Sequence, residues 1–140
     1  MARTDTYVLD TSAVFAFTDD EPGADVVQTL LNRADAGEVR VLVSFMTLME
    51  AYYLLWRRVG RAQTRGLLAG IQALPVTRVD ASPDLIVAAG ELKAQSRLSV
   101  ADAWVAATAQ QHAATLVHKD GELRQLGDLV AQLELGADDR

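Results

Sequence analysis

The sequence predicts one α/β domain built on a mainly parallel sheet. Apolar, strand-like runs alternate along the chain with segments of helical periodicity, which is the pattern of βαβ units. The chain has 140 residues, and no internal repeat, low-complexity linker or break in composition divides it. Half of the residues are hydrophobic and 23% are charged, as in folded globular proteins. The predicted domain therefore spans residues 1–140.

Four segments are convincing strands, and a fifth is plausible. The convincing strands are residues 6–10 (TYVLD), 39–44 (VRVLVS), 74–80 (LPVTRVD) and 114–118 (ATLVH). The plausible fifth strand is residues 129–135 (LVAQLEL). Each segment is a short run rich in β-branched or other apolar residues. We expect a central sheet of four to five strands.

Helical patterns occupy the segments between these strands. They cover residues 24–36, 47–59, 61–73, 83–96 and 100–113, with a short turn near 121–127. Gly37 and Gly60 stand where the first two helices should stop, and Pro83 suits a first helical turn because its missing N–H is not needed there. The order of elements favours helices packed against a parallel sheet.

Four acids stand at the ends of predicted strands or in the first turns of predicted helices. Asp10 is the last residue of the first strand, and Asp120 lies two residues beyond the fourth. Glu50 and Asp102 fall in the first turn or so of their helices. In a parallel α/β sheet, strand ends and the starts of the following helices share the edge at which ligands bind. We expect the four carboxylates to converge there.

Each acid also has a purely structural interpretation. The segments SVAD (residues 99–102) and TLME (residues 47–50) fit capping boxes, the first with aspartate in the place of glutamate. Asp120 fits a helix N-cap, and Asp10 fits an Asx turn with Thr11 and Ser12. Helix caps need no common edge, whereas a cation site does, so the shared edge favours the cation site.

The chemistry that such acids support is metal-assisted phosphoryl transfer. Oxygen ligands without cysteine suit Mg²⁺, which keeps several waters and uses one or two carboxylates with substrate phosphate oxygens. The sequence has no G-x-S-x-G, Walker lysine or G-x-G-x-x-G motif that would indicate a different reaction. The two histidines, His112 and His118, are interpreted as a helix-surface residue and a strand-end residue.

Four motifs carry a family resemblance. YVLDTSAVFAF, TLMEAYYLL, LSVADAWVAATA and TLVHKDGEL, in this order and spacing, resemble the acidic motifs of the PIN domain, in particular those of VapC-type toxin ribonucleases. The resemblance implies a three-layer α/β/α PIN-like fold and Mg²⁺- or Mn²⁺-dependent cleavage of single-stranded or loop RNA. It implies that the catalytic, metal-binding residues are Asp10, Glu50, Asp102 and Asp120. It also implies a homodimer and a cognate antitoxin protein as partner.

The sequence departs from the family pattern near the last acid. His118 stands where such proteins often have threonine or serine, so Thr11 or Ser12 is the candidate to supply a hydroxyl as an auxiliary group. Glu122 is either a fifth, outer-shell acid or a first-turn acid favoured by the helix dipole. The sequence leaves both interpretations of Glu122 open.

Charge and exposed apolar residues bear on partners. The net charge of −6 argues against loose binding to nucleic acid, but without the four acids it is −2. Candidate RNA contacts are Arg97 and Lys119, with Arg57, Arg58, Arg61 and Arg65 of WRRVGRAQTR, which alternatively form a solvated helix face. The segment FMTLMEAYYLLW has more large apolar residues than one sheet face covers, so part of it is expected to contact another subunit or an antitoxin.

Compartment and alternative functions complete the expectations. The lack of cysteine and of a long apolar segment predicts a cytoplasmic protein that does not bind membranes. One alternative function is a non-catalytic PIN-like protein-interaction module. A receiver-type signalling domain also gathers acids at strand ends, but LDTSAV and LVSFMT do not fit its pattern.

Overall fold

Five parallel strands form one sheet at the centre of the molecule, with helices on both faces. The computed structural model describes residues 5–136, so the first four and last four residues of the expected domain lie outside the described part. The elements are β1 (Thr6–Leu9), α1 (Thr11–Thr18), α2 (Ala24–Asp35), β2 (Arg40–Ser44), α3 (Phe45–Val59), α4 (Arg61–Gln72), β3 (Thr77–Val79), α5 (Pro83–Ala94), α6 (Val100–Gln111), β4 (Thr115–His118), a 3₁₀ segment (Gly121–Leu129) and β5 (Ala131–Glu134). The predicted α/β class and the plausible fifth strand are confirmed.

The strand order places a topological switch point in the middle of the sheet. The order is β3-β2-β1-β4-β5, and all neighbouring pairs are parallel. The chain moves outward from β1 through β2 to β3 and then returns to β4 on the other side of β1. In open α/β sheets the crevice beyond such a switch point is the usual ligand site. Here that crevice lies beyond the ends of β1 and β4.

Alternating side chains on the strands divide the interior into two cores. Val8, Leu42 and Leu116 point to one face, where α5, α6 and the 3₁₀ segment cover them. Their chain neighbours Leu9 and Val117 point to the other face, which α1 to α4 cover. This alternation is the period of two that a pleated strand imposes. The molecule therefore has the three-layer α/β/α arrangement that was predicted.

One helix was not predicted from the sequence. Helix α1 follows β1 directly, and residues Ala13, Val14, Phe15 and Ala16 are all buried. A helix that is apolar on nearly all sides lacks the polar stripe that marks an amphipathic helix. The segment therefore carries no clear 3.6-residue period. Its position matters because it brings Thr11 and Ser12 to the edge beyond β1.

Helix α3 begins two residues earlier than predicted. Ser44 is both the last residue of β2 and the N-cap of α3, with its Oγ accepting a hydrogen bond from the Met46 N–H at 3.1 Å. The capping-box interpretation of TLME is therefore wrong, because Thr47 is buried within the helix. Glu50 consequently lies in the second turn rather than the first.

The third strand is shorter than predicted and lies at the edge of the sheet. β3 spans Thr77–Val79, whereas the prediction began at Leu74. Pro75 has no N–H for a sheet ladder, which shortens the pairing segment. Within residues 5–136, no helix has the length and apolar character needed to cross a membrane.

Candidate active site

Asp10 lies at the switch point, between the ends of two adjacent strands. It follows β1 immediately, and its N–H donates a hydrogen bond to the Val117 carbonyl of β4 at 2.9 Å. Its carboxylate caps α1, with Oδ2 accepting from the Ser12 N–H at 3.1 Å and from the Ser12 hydroxyl at 2.6 Å. The residue is only 3% exposed, and its Oδ1 has no hydrogen-bond partner among residues 5–136. A buried carboxylate oxygen without a partner is costly unless something else binds it.

Ser12 joins the two strands through its side chain. Its hydroxyl donates to Asp10 Oδ2 and accepts a hydrogen bond from the Lys119 N–H at 2.8 Å. Lys119 directly follows β4, so this hydroxyl connects the start of α1 with the chain leading to Asp120. The Ser12 hydroxyl therefore lies at this edge and orients the Asp10 carboxylate.

Glu50 reaches the same edge from α3. The Thr11 hydroxyl donates to Glu50 Oε1 at 2.6 Å, across 39 positions of sequence. Because Thr11 directly follows Asp10, this contact places Glu50 beside the β1 end. Burial raises the pKa of Glu50, the Thr11 hydrogen bond opposes this, and repulsion from Asp10 and Asp120 raises it further.

Asp102 lies in the first turn of α6. Ser99 is the N-cap of this helix, and its Oγ accepts a hydrogen bond from the Asp102 N–H at 3.0 Å. The capping contact predicted for SVAD is therefore confirmed for Ser99, and it is made by the backbone of Asp102. Burial raises the pKa of Asp102 to about 7, and repulsion from Asp10, Asp120 and Glu50 adds to the effect of burial.

Asp120 follows β4 by two residues and caps the 3₁₀ segment. Its Oδ1 accepts a hydrogen bond from the Glu122 N–H at 3.0 Å, which confirms the predicted N-cap. Glu122 itself is exposed in the first turn of that segment, the position that the dipole interpretation gives it. Asp120 contributes to the repulsion that raises the pKa of Asp10, Glu50 and Asp102.

The four acids (Asp10, Glu50, Asp102 and Asp120) lack salt-bridge partners in the described part of the chain. Burial raises the pKa of Asp10, hydrogen bonds from Ser12 oppose it, and repulsion from Asp120 adds to the rise. The protein thus holds mutually repelling carboxylates in a partly desolvated position, which costs folding free energy.

The donor set suits a hard divalent cation. It consists of carboxylate and hydroxyl oxygens, and one of those oxygens, Asp10 Oδ1, is buried without a partner. In the described part of the chain, no three histidine, aspartate or glutamate side chains form a group that could hold a metal ion. Mg²⁺ does not need such a group, because it commonly binds one or two carboxylates and keeps several waters. The residues present therefore fit the ion, with Asp10 as the best-placed ligand.

Two of the expected RNA contacts are engaged elsewhere. The Lys119 ammonium donates to the Pro22 carbonyl at 3.1 Å and lies 3.6 Å from Glu21 Oε1. Arg58 pairs with Asp19 at 3.0 Å and lies over the Phe15 ring. Both side chains brace α1 and the loop after it, so their contribution to RNA binding would require them to leave these partners.

The remaining basic candidates are exposed. Arg57 lies over the Tyr53 ring and Arg61 over the Trp56 ring, with about 5 Å from guanidinium to ring centre in each pair. Arg97 is exposed in the loop before α6, where its backbone N–H donates to the Gln125 side chain. Arg65 is also exposed, so of the expected contacts Arg57, Arg61, Arg65 and Arg97 remain available to a phosphate.

Gln132 was missed by the sequence analysis. It lies on β5, next to β4, and its Oε1 contacts His118 Nε2 at 2.9 Å. The sequence offered one signal, a polar residue inside a short predicted strand, but no local pattern links it to a histidine 14 positions earlier. The histidine itself was interpreted as a strand-end residue, which is confirmed.

The sequence matches a protein family model, and the fold matches solved structures. A model of the PIN domain family matches residues 7–129. No curated protein sequence matches the chain.

Several solved structures share the fold. VapBC2 from Rickettsia felis, bound to a DNA fragment from its promoter, matches with a TM-score of 0.75 at 18% identity, over 92% of this chain and 98% of that one. VapBC from Salmonella typhimurium, bound to DNA, matches with a TM-score of 0.74 at 14% identity, over 94% and 98%. VapC20 from Mycobacterium tuberculosis, described as a toxin that cleaves the sarcin-ricin loop, matches with a TM-score of 0.65 at 21% identity, over 86% and 95%.

Proposed function

The chain belongs to the PIN domain family, and on that premise we propose that it is a Mg²⁺- or Mn²⁺-dependent endoribonuclease, the toxin of a type II toxin–antitoxin pair. The observation that carries the proposal is the set of four acids. They come from four different elements, repel one another and have no cationic partner within residues 5–136. A non-catalytic interaction module would have no need for so costly an arrangement.

The chain's own residues would hold and orient the ion and the substrate. Asp10 would bind the ion through the free Oδ1, while Ser12 keeps Oδ2 in place. Asp102, Asp120 and Glu50 would complete the site largely through bound water molecules, with the Thr11 hydroxyl orienting Glu50. When bound, the ion supplies an activated water and neutralises charge on the phosphate oxygens.

RNA is the substrate that this chemistry and the family favour. A phosphodiester backbone brings the phosphate oxygens that complete the coordination of Mg²⁺ at a site of few carboxylates. Arg97 and Arg57 are the exposed side chains proposed to contact the flanking phosphates. The similarity in fold to VapC20, described as a toxin that cleaves the sarcin-ricin loop, supports this proposed substrate class. Such a toxin would act in the cytoplasm.

A cleavage assay with purified protein tests this function. The protein, freed of any partner, is expected to cut a single-stranded or hairpin RNA with Mg²⁺ or Mn²⁺ and to stop in EDTA. Asp10→Asn should lower the rate at least about a hundredfold, the scale of losing one preorganised electrostatic group. Asp84→Asn, which changes an exposed first-turn acid of α5, is the matched control and should keep the wild-type rate. Cleavage that persists in EDTA, or in Asp10→Asn, would contradict the proposal.

The antitoxin is the second part of the proposal. The structural matches to VapBC complexes support a partner of this kind. A groove of about 280 Å³ between α1 and the α3–α4 pair offers a site for it, with Phe15, Leu55, Leu67 and Ile71 among its lining residues. Co-expression with the neighbouring small reading frame should give a complex that no longer cleaves RNA. If no complex forms, the toxin role fails while the nuclease role stands.

A homodimer is the third part. Ile86 on α5 and Val100 on α6 are each more than half exposed, and both line an apolar groove between these two helices. Such a surface favours contact with a second copy. In sedimentation experiments, the wild type should be a dimer and Ile86→Glu should be a monomer. A monomeric wild type would contradict this part alone.

A further inference from the structure

His118 lies at the end of β4, two residues before Asp120, and is fully buried. A histidine is rarely buried without partners for both ring nitrogens, because each lost hydrogen bond leaves a desolvated polar atom. Here both nitrogens are paired. Nδ1 accepts the Asp120 N–H at 3.1 Å, and Nε2 lies 2.9 Å from Gln132 Oε1.

These contacts determine the protonation form of the ring. Because a backbone N–H can only donate, Nδ1 must be the accepting nitrogen and carries no proton. Nε2 therefore bears the proton and donates it to Gln132 Oε1. The amide of Gln132 is oriented in turn, because its Nε2 donates to the Gly127 carbonyl at 3.4 Å. The chain of hydrogen bonds runs from Asp120 through His118 and Gln132 to the 3₁₀ segment.

Asp120 is consequently held from two directions. Its N–H is held by the buried ring, and its carboxylate Oδ1 accepts the Glu122 N–H at 3.0 Å. The carbonyl of His118 also accepts the Leu135 N–H at 2.7 Å, which fastens the end of β4 to the chain after β5. A loop residue that is fixed in this way keeps its carboxylate in one place beyond the strand ends.

We propose that His118 is a positioning residue for Asp120, and that its Nδ1, locked as an acceptor by Gln132, fixes the loop that carries this carboxylate. The hydrogen-bond part of the proposal stands on the geometry alone. The consequence for metal binding rests on the proposed function, in which Asp120 contributes to the ion site. Residues that orient metal ligands from outside typically account for about 10–100-fold in affinity or activity.

Two conservative variants separate positioning from simple filling of the core. In His118→Asn, the side-chain Oδ1 comes to about the place of Nδ1 and can still accept the Asp120 N–H. In His118→Gln, the amide reaches about the place of Nε2 and keeps the contact with Gln132, but it leaves Asp120 without an acceptor. Both variants remove ring volume. If His118 only fills space in the core, the two variants should lose similar amounts of amide protection, Mn²⁺ affinity and cleavage rate.

The first measurement is NMR of the metal-free protein, which does not depend on any catalytic role. We expect the ¹⁵N shifts of His118 to show an unprotonated Nδ1 and a protonated Nε2. The Asp120 amide should exchange slowly in wild type and His118→Asn, and at least about tenfold faster in His118→Gln. A proton on Nδ1, or equal exchange in the two variants, would overturn the proposal.

The second measurement is Mn²⁺ affinity and the cleavage rate of the same proteins. We expect His118→Gln to lose about 10–100-fold and His118→Asn less than about fivefold, even where urea denaturation finds the two equally stable. Equal losses of Mn²⁺ affinity and cleavage rate in the two variants would show that His118 acts only by filling the core. If the wild type itself binds no Mn²⁺, the proposed function fails, whereas the NMR result still decides whether His118 holds Asp120.

Discussion

The substitution Asp102→Asn should stabilise the metal-free protein at alkaline pH. Burial and repulsion from Asp10, Asp120 and Glu50 raise the pKa of Asp102 to about 7, from an ordinary value of 3.8. Between these two values the folded state binds more protons than the unfolded state, so stability falls as the pH rises through this window. Asparagine has almost the same shape as aspartate and no charge, so the variant does not lose stability in this way as the pH rises.

The expected magnitude follows from the size of the shift. A shift of about three pKa units corresponds to at most about 4 kcal/mol, at about 1.4 kcal/mol per unit. Solvent screens a carboxylate that is only partly buried. We therefore expect the free energy of unfolding of Asp102→Asn to exceed that of the wild type by about 1–2 kcal/mol at pH 8, and the two values to be equal near pH 4. The helix cap is not lost, because Ser99 accepts the backbone N–H of residue 102.

Urea denaturation of wild type and variant at pH 4 and pH 8, in EDTA and in Mn²⁺, is the assay. The variant should be the more stable protein in EDTA at pH 8. In Mn²⁺ at a hundred times its dissociation constant, the free energy of unfolding of the wild type should rise by about 2.7 kcal/mol and that of the variant by much less. The stability difference between the two proteins should therefore shrink or change sign.

Asp84→Asn is the control, because Asp84 is an exposed acid in the first turn of α5. It should lose about 0.3–1 kcal/mol of helix-dipole stabilisation with or without metal. If Asp102→Asn behaves like this control in both conditions, Asp102 is only a first-turn acid and the reasoning is wrong.

Other substitutions test separate parts of the account. Ser12→Ala removes the acceptor of the Lys119 N–H and a donor to Asp10, so it should lower the free energy of unfolding by about 1–3 kcal/mol in urea denaturation and also slow RNA cleavage. An unchanged cleavage rate would show that Ser12 has no role in the active site. Thr47→Val should leave the free energy of unfolding equal or raise it by about 1 kcal/mol, because the buried Thr47 hydroxyl has no hydrogen-bond partner in the described part of the chain, and a clear loss of stability in thermal melts would reveal a partner. Arg97→Ala should raise the KM for RNA and weaken its salt dependence while kcat stays the same; an unchanged KM would remove Arg97 from the RNA contacts.

The sheet and the positions of the acids relative to it were predictable because they depend on local patterns. An apolar run such as VRVLVS predicts a strand from its local sequence alone. The carboxyl ends of the strands in a parallel sheet share one edge whatever the strand order is. Asp10 and Asp120 could therefore be assigned to that edge from the sequence. The strand order, which makes β1 and β4 neighbours across the switch point, has no local signal.

The features that escaped prediction depend on contacts between distant segments or on segments without periodicity. Helix α1 is buried on nearly all sides, so it lacks a polar stripe. Lys119 was expected to face RNA, but it contacts Pro22 and Glu21 almost a hundred positions earlier. The role of His118 depends on Gln132 of the neighbouring strand. Ser44 ends a strand and caps a helix at once, which displaced the predicted start of α3.

Calorimetric titration of Mn²⁺ into the metal-free protein tests the central claim most directly, because it measures the ion site without RNA or a partner. Wild type and the control Asp84→Asn should bind one or two ions per chain with the same affinity. Asp10→Asn should bind at least about tenfold more weakly, since it replaces the buried oxygen that has no other partner. Wild-type affinity in Asp10→Asn, or no binding by the wild type, would contradict the assignment of the four acids as a metal site.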